Sequence, residues 1–457
     1  MADYDILIIG GGPGGYVAAI KAAKAGRKVC ICEKKDLGGV CLNEGCIPTK
    51  TLLKSVEMLV NVKAAGDFGV DTECAASLKL DLGKVLKRKE MVIATLRNGI
   101  GHLLKHPNIT LMRENARLTG RNEAMCGNER ITFDNAIIAT GSEAAIPPVS
   151  VEDGAVVGTS SDILQLDRIP GEVSVLGGGV VGVELAYYMA GTGSNVTILE
   201  QMDRILPMLD EEISSKVAAA LKSRNVNIYT GVSVEKISAG EITYKDQNGE
   251  SVSQRTEYTL IAAGRKPVID EESMKAAGIE YDRKGIKVND RMETSAQGIY
   301  AIGDVNGRMM LAHVASAEGE VAVDNICGAD KAMDYSVVPS CVYTSPEIAC
   351  IGMTEIQAKE KYDDVKIGRF PLMANGKALV EGEPSGLCKV IINGEDDGIL
   401  GFHMYGIHAT DIAAAVCIAM SNGLKASGIC ETIFAHPTVS ECVHETFLNA
   451  YGKSIHI

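Results

Sequence analysis

Short, continuous apolar runs closed by glycine recur along the chain and alternate with Ala-rich stretches of helical length. Asp5-Ile6-Leu7-Ile8-Ile9 has the unbroken apolar character of a strand buried on both faces of a parallel sheet. Val17 to Ala25 reads as a helix packed closely on that sheet, and Lys28-Val29-Cys30-Ile31-Cys32-Glu33 as a second strand ending in a carboxylate. Together these make one βαβ unit. The same grammar returns at Val173 to Leu176, then glycines, a helix over Val183 to Ala190 and a strand over Asn195 to Glu200. Between the units, Lys87 to Leu104 is helical in pattern and Ile131 to Thr140 is a strand closed by Gly141. Pro147-Pro148 marks a linker. A strand over Thr259 to Ala263 runs into Gly264-Arg265-Lys266-Pro267, and Ile299 to Asp304 is another strand ending in an acid. Beyond about Val337, strands (Leu387 to Ile392, Ile399 to Met404) and a helix (Thr410 to Ser421) alternate without a glycine loop, which predicts a separate third domain.

The chain has 457 residues, enough for about three domains. Its 59 acidic against 45 basic residues give a net charge of −14, which argues against nucleic acid or an anionic membrane as partner and leaves small molecules and basic proteins. Thirteen cysteines, an odd number without dense spacing, suit a reducing cytoplasm better than a secreted disulfide scaffold. Met1-Ala2-Asp3-Tyr4-Asp5 is acidic where an export signal is basic, and Ile412 to Met420 is too short an apolar run to span a membrane. A soluble cytoplasmic protein is expected.

Gly10-x-Gly12-x-x-Gly15 follows a strand and opens a helix, as a turn that must bring backbone amides against a pyrophosphate requires. Glu33 lies 23 residues after Gly10, near the spacing at which a carboxylate accepts from ribose hydroxyls. Gly177-x-Gly179-x-x-Gly182 repeats the loop, and Glu200 lies 23 residues after Gly177. Two loops in two matching contexts with equal acid spacings predict two dinucleotide sites. A carboxylate at Glu200 favours a free 2′-hydroxyl, hence NAD over NADP; Arg204 lies beyond it in a loop.

Cys41-Leu42-Asn43-Glu44-Gly45-Cys46 comes eight residues after Glu33, close to the first nucleotide site. Pro48, Thr49 and the apolar Leu52, Leu53 and Val56 predict a helix beginning beside Cys46, so its thiolate gains from the helix N-terminus and from Lys50. Gly45 permits a sharp turn between the sulfurs. The rival readings are two buried structural thiols, as expected for Cys30 and Cys32, or a zinc site, for which no second Cys or His pair stands at ligand spacing.

Gly38 to Lys50 (GGVCLNEGCIPTK) resembles the active-site segment of the pyridine nucleotide–disulfide oxidoreductases, most closely of the branch that oxidises dihydrolipoamide. The likeness runs along essentially the whole chain: Gly10 to Tyr16, Ala139-Thr140-Gly141, Gly264 to Pro267, Gly303-Asp304, Met310 to His313, Tyr343 to Glu347 and His436 to Glu441 follow in the family's order. It implies an α/β chain with two Rossmann-like dinucleotide domains and a C-terminal α+β dimerisation domain: FAD domain 1–145 and 270–335, NAD domain 146–269, interface domain 336–457. It places FAD on the first loop, with Ala116, Thr140, Gly141, Asp304 at the ribityl chain, and the backbone of Leu311, Ala312 and His313 at the flavin. NAD falls on the second loop, with Val234, Gly264 and Glu184 near the nicotinamide, and Lys50 pairs with Glu184 beside the flavin. Cys46 becomes the flavin-side thiolate, Cys41 the interchange thiol, and His436 the acid/base, oriented by Glu441 and supplied across a homodimer.

Thr438-x-x-Glu441 also fits a capping box, which would make Glu441 a helix cap and His436 a loop residue; thiol–disulfide exchange needs a proton acceptor near neutral pH, which favours the imidazole. His313, His403 and His408 read as backbone-contact or structural histidines. Thr49 stands where the family often has Ser, Val268 where Asn or Thr is common, and Arg121 to Arg130 is short for the family's antiparallel insertion. The expected reaction is oxidation of protein-bound dihydrolipoamide with NAD. Because Met1 leads straight into the first strand, the lipoyl group is expected on a partner, an acyltransferase subunit or a glycine-cleavage carrier protein. A glutathione-type reductase is the alternative, disfavoured by Glu200, by the lack of a second Lys after Pro48 and by the acidic charge. A flavin-bound protein without catalysis would not need Cys41, Cys46 and His436.

Overall fold

The computed structural model describes residues 2–71 and 77–457. β1 (Tyr4–Ile9), α1 (Pro13–Lys24) and β2 (Val29–Cys32) form the first βαβ unit, with Ile6 level with Val29 and Ile9 with Cys32. α2 (Cys46–Ala64) and α3 (Leu82–Leu103) follow, then β3 (Ile109–Met112) beside β2. β4 (Ala116–Gly120), β5 (Glu123–Cys126) and β6 (Glu129–Ile138) make an antiparallel meander. The Arg121 to Arg130 stretch thus does supply an antiparallel insertion, built with tight turns. The end of β6 leaves the meander and runs parallel to β1.

The second unit is β7 (Glu172–Leu176), α4 (Val180–Thr192) and β8 (Asn195–Leu199), extended by α5 (Glu211–Ser223), β9 (Val226–Tyr229) and β10 (Tyr258–Ile261) into a parallel sheet ordered β9-β8-β7-β10. Much later in sequence, β11 (Ile299–Ala301) adds to the first sheet beside β6, and α6 (Ala312–Ile326) packs on α1. That packing is close enough that a Cβ on Gly14 would lie 2.8 Å from the Ala315 carbonyl oxygen. The first sheet is therefore completed by a strand that follows the entire second unit.

The last part is one antiparallel sheet from β12 (Ser340–Val342), β13 (Glu347–Gly352), β14 (Val365–Pro371), β15 (Leu387–Asn393) and β16 (Ile399–Gly406), ordered β12-β13-β16-β15-β14. α7 (Glu355–Lys361), α8 (Gly376–Val380), α9 (Ala409–Ser421) and α10 (Glu441–Ala450) connect and cover it. One apolar core joins Leu52, Leu53 and Val56 of α2 to Val183 and Leu185 of α4 and to Val342, Ile348 and Leu387 of the last sheet. The helix that begins at Cys46 is thereby wedged among three parts of the chain; a Cβ on Gly191 would lie 2.2 Å from a Val56 methyl.

A buried ion cluster ties the second unit to the last sheet. Lys389, on β15 and 2% exposed, places Nζ 2.8 Å from Asp210 Oδ1, 2.8 Å from Glu355 Oε2 and 3.3 Å from Glu212 Oε2. Burial works against ionised Glu355, but Lys359 and Lys389 overcome it and hold the carboxyl down at about 2. Its contribution to stability is therefore present above the ordinary carboxylate range and is lost as pH falls towards 2. Arg369 also bridges Glu212 and Glu355, at 2.8 and 2.6 Å, so Lys389→Met should leave buried Asp210 as the acid without a cation and cost about 3–5 kcal/mol, read as a lower urea midpoint at pH 7. An unchanged midpoint would show that the cluster adds nothing to the docking of the two parts.

Candidate active site

The two glycine loops coincide in detail. Gly10 and Gly177 have φ of +109° and +110°, a region that side chains avoid, and Cβ atoms there would lie 2.3 and 2.4 Å from the Ala139 and Ala262 carbonyl oxygens. Gly15 and Gly182 let their helices approach the preceding turn, where Cβ atoms would meet Gly10 and Gly177 carbonyls at 1.9 and 2.0 Å. Gly12 and Gly179 are the N-caps of α1 and α4; neither helix has a side-chain cap or an acid in its first turn. A Cβ on Gly179 would meet nothing within 4 Å. Uncapped first-turn amides facing open space fit a pyrophosphate.

Glu33 and Glu200 are also matched. Glu33 accepts from Gly11 N–H at 2.6 Å and Lys35 N–H at 2.7 Å; Glu200 accepts from Gly178 N–H at 2.5 Å and Met202 N–H at 2.7 Å. Each carboxylate thus braces its own loop, a role its spacing alone did not indicate, and retains lone pairs for ribose hydroxyls. Arg204 lies beyond in the loop, donating to the Pro207 carbonyl at 3.2 Å.

Gly303-Asp304 follows β11. Buried Glu318 of α6 fixes this turn by accepting from Gly303 N–H at 2.5 Å and Asn306 Nδ2 at 2.8 Å, while Tyr335 OH donates to its other oxygen at 2.6 Å. Ser142 Oγ donates to Asp304, and Arg265 donates to Ser142 Oγ and to its carbonyl at 2.7 Å each. Ser142 and Arg265 sit on two three-residue strands, Ser142–Ala144 and Arg265–Pro267, that pair antiparallel where the chain enters and leaves the second unit. Ala116 is buried at the start of β4 and lines a small pocket together with Thr140, Ile138 and Met274. Val234 lies on a separate four-stranded sheet of the second unit, and Gly264 lies beyond β10, directly before the strand Arg265–Pro267. Leu311 is the N-cap of α6, Ala312 its first residue, and His313 Nε2 donates to the Pro339 carbonyl at 2.9 Å.

Cys46 is the first residue of α2, and Cys41 lies in the short helix Gly39–Asn43 just before it. The Cys41 thiol donates to Cys46, and this bond, with Lys50 nearby, brings Cys46 down to about 7 against the opposing effects of burial and Glu184. The same bond, followed by burial, pushes Cys41 up. The pair is polarised, with Cys46 the thiolate and Cys41 the thiol. One turn along α2, Lys50 Nζ holds both oxygens of Glu184 on α4 at 2.9 and 2.8 Å. Glu184, 2% exposed, also accepts from Tyr343 N–H at 2.9 Å, and the ammonium lies 4.6 Å from the Tyr343 ring centre. Cys30 and Cys32 are buried in the first sheet. Among the described residues no group of three or more His, Cys, Asp or Glu is arranged to hold a metal.

His436 is on the loop before α10, with its side chain 79% exposed. Its Nδ1–H donates to Glu441 Oε1 at 3.0 Å, which leaves the Nε2 lone pair outward as a proton acceptor. Glu441 Oε2 accepts from Thr438 N–H at 2.9 Å. Burial would raise this carboxyl, but the Thr438 amide and His436 hold it below the usual range. The expected capping box does not form: Ser440 is the N-cap of α10, Glu441 is its first residue, and Thr438 Oγ1 donates to the Ala435 carbonyl instead of to the helix start. One Glu441 oxygen braces the turn before the helix and the other orients the ring. His403 Nε2 donates to the Met353 carbonyl, and His408 pairs with Glu381. No helix among the described residues is long and apolar enough to cross a membrane.

A family model described as pyridine nucleotide-disulphide oxidoreductase matches residues 4–319, and the dimerisation domain of the same family matches 338–447. A dihydrolipoyl dehydrogenase of Bacillus subtilis is 39% identical over 456 residues, covering 99% of each chain. One from Rhizobium etli is 38% identical, covering 98% of each. Among solved structures, the HOCl-induced flavoprotein disulfide reductase RclA from Escherichia coli superposes with a TM-score of 0.86 at 30% identity, covering 97% of this chain and 99% of that one. The glycine loops, the polarised cysteine pair and the dimerisation domain have one origin: the chain belongs to the pyridine nucleotide–disulphide oxidoreductase family.

Proposed function

We propose that this chain is an FAD-dependent dihydrolipoyl dehydrogenase that reoxidises protein-bound dihydrolipoamide with NAD. The observation that carries the reading is the polarised Cys41–Cys46 pair at the start of a helix whose Lys50 is locked to Glu184. FAD occupies 1–145 with 270–335, NAD occupies 146–269, and 336–457 forms the homodimer interface, through which His436 reaches the partner's cysteines. The first glycine loop, Glu33, Ala116, Thr140, Gly141, Asp304 and the Leu311–His313 backbone hold FAD. The second loop, Glu184, Glu200, Val234 and Gly264 hold NAD.

In the oxidised pair, His436 Nε2 takes the proton of one substrate thiol. The resulting thiolate attacks Cys41 Sγ, breaking the Cys41–Cys46 bond and releasing Cys46 as a thiolate stabilised by the helix and Lys50. His436 returns its proton to the departing Cys41 sulfur and takes that of the second substrate thiol, whose sulfur attacks the substrate sulfur joined to Cys41; lipoamide leaves as the cyclic disulfide, with one proton now on the Cys41 thiol and the other on His436. FAD and NAD, when bound, supply the two-electron relay that returns the dithiol to the disulfide. Glu441 keeps the imidazole oriented and stabilises its protonated form. The acyltransferase subunit of a 2-oxoacid dehydrogenase, or a glycine-cleavage carrier protein, brings the lipoyl arm. A reducing cytoplasm is the compartment in which the remaining thiols stay free.

Initial rates of the purified flavoprotein decide between this substrate and the glutathione alternative. Dihydrolipoamide with NAD should turn over well and glutathione disulfide with NADPH poorly; faster turnover of the second pair would overturn the assignment.

A further inference from the structure

Asn375, 4% exposed, lies between β14 and α8. Its Oδ1 accepts from Ala378 N–H at 2.9 Å and so caps α8. Its Nδ2 donates to the carbonyls of Thr438 at 3.1 Å and Val439 at 3.4 Å, the residues that follow His436-Pro437. The amide thus spends its oxygen on a helix start and both hydrogens on the loop that carries His436. That loop, between Cys430 and Glu441, has no helix or strand of its own. Its near end is held by α10, where His444 Nε2 donates to the Cys430 carbonyl at 3.0 Å and the ring stacks 5.4 Å from Phe434. Within it, Thr438 Oγ1 donates to the Ala435 carbonyl at 2.8 Å, and Thr438 N–H reaches Glu441. Thr438 is therefore a junction: its carbonyl is held by Asn375, its amide by the carboxylate that orients the imidazole.

We propose that Asn375 is a positioning residue for the His436 base, fixing the Thr438–Val439 backbone and through it the Glu441–His436 pair. A ring that works across an interface from an exposed loop needs its backbone fixed, because a displacement of about 1 Å can cost roughly 100-fold in rate. The proposal rests on the reading of His436 as the base, and it competes with a role for Asn375 confined to capping α8.

Two variants separate these. Asn375→Asp keeps the cap acceptor and the volume but sets a carboxylate oxygen against two carbonyls; Asn375→Ser keeps a cap acceptor alone. With each holoenzyme, kcat for dihydrolipoamide and NAD is expected to fall about 10-fold to 100-fold. The KM for NAD, the bound flavin and the rate of NADH-driven ferricyanide reduction, which needs neither Cys41 nor His436, should stay at wild-type values. Wild-type kcat in both variants, while His436→Gln is impaired, would overturn the proposal. So would an equal loss of ferricyanide reduction and flavin, since that is what a purely structural residue would show. Full activity of His436→Gln would instead remove the base assignment, and the proposal with it.

Discussion

Cys46→Ser is expected to abolish oxidation of dihydrolipoamide by NAD while leaving the flavin bound and NADH-driven reduction of ferricyanide intact. Cys46 begins α2, where the helix N-terminus, the Cys41 thiol and Lys50 hold its thiolate at about 7. A serine hydroxyl fits the same space but can neither form nor break a disulfide, so the exchange step has no partner for Cys41. Little packing is lost: α2 is anchored by Leu52, Leu53 and Val56, which the substitution does not touch. Normal lipoamide turnover in this variant would remove the redox role of the pair. Loss of flavin together with turnover would show that the residue supports the fold instead.

The features that were legible in the sequence are those set by local backbone demands. A turn with φ near +110° tolerates only glycine, so both nucleotide loops and their equal spacing to Glu33 and Glu200 could be read directly. The same glycines misplaced the helix starts. Reading Gly14 and Gly15 as loop put the first helix at Val17, whereas it begins at Pro13, where proline suits the first turn and the glycines are needed for close packing. In the second unit the helix begins at Val180 rather than Val183 for the same reason.

What was hidden depends on contacts between residues far apart in the chain. The Ser142–Arg265 link to Asp304 joins two strands of three residues each, too short to show periodicity. Lys389 sits among the apolar residues Leu387, Cys388, Val390, Ile391 and Ile392 of its strand, and the acids that make its burial tolerable come from α5, its N-cap and α7. Asn375 belongs to no motif, since its partners are backbone carbonyls that could be presented by any sequence. The His436–Glu441 pair was legible only through spacing and resemblance, and the geometry adds that one carboxylate serves both ring and turn.

His436→Gln should lower kcat for dihydrolipoamide by about 100-fold to 10,000-fold, the usual range for removing a positioned general base. An amide of similar reach can still bond Glu441, so the loop should keep its shape and ferricyanide reduction its rate. Wild-type turnover would assign the proton transfer to another group.

Because His436 is exposed on its own chain and bonded there to Glu441 alone among its described hydrogen bonds, its place in the reaction is tested most directly by mixing subunits. Cys46→Ser and His436→Gln dimers, each inactive alone, are dissociated together and allowed to reassociate. If each active site combines the cysteines of one subunit with the histidine of the other, every mixed dimer contains one complete site, and activity returns to about a quarter of wild type after random reassortment. Activity that stays at the level of the parent variants, with mixed dimers verified by mass, would contradict a base supplied by the partner subunit.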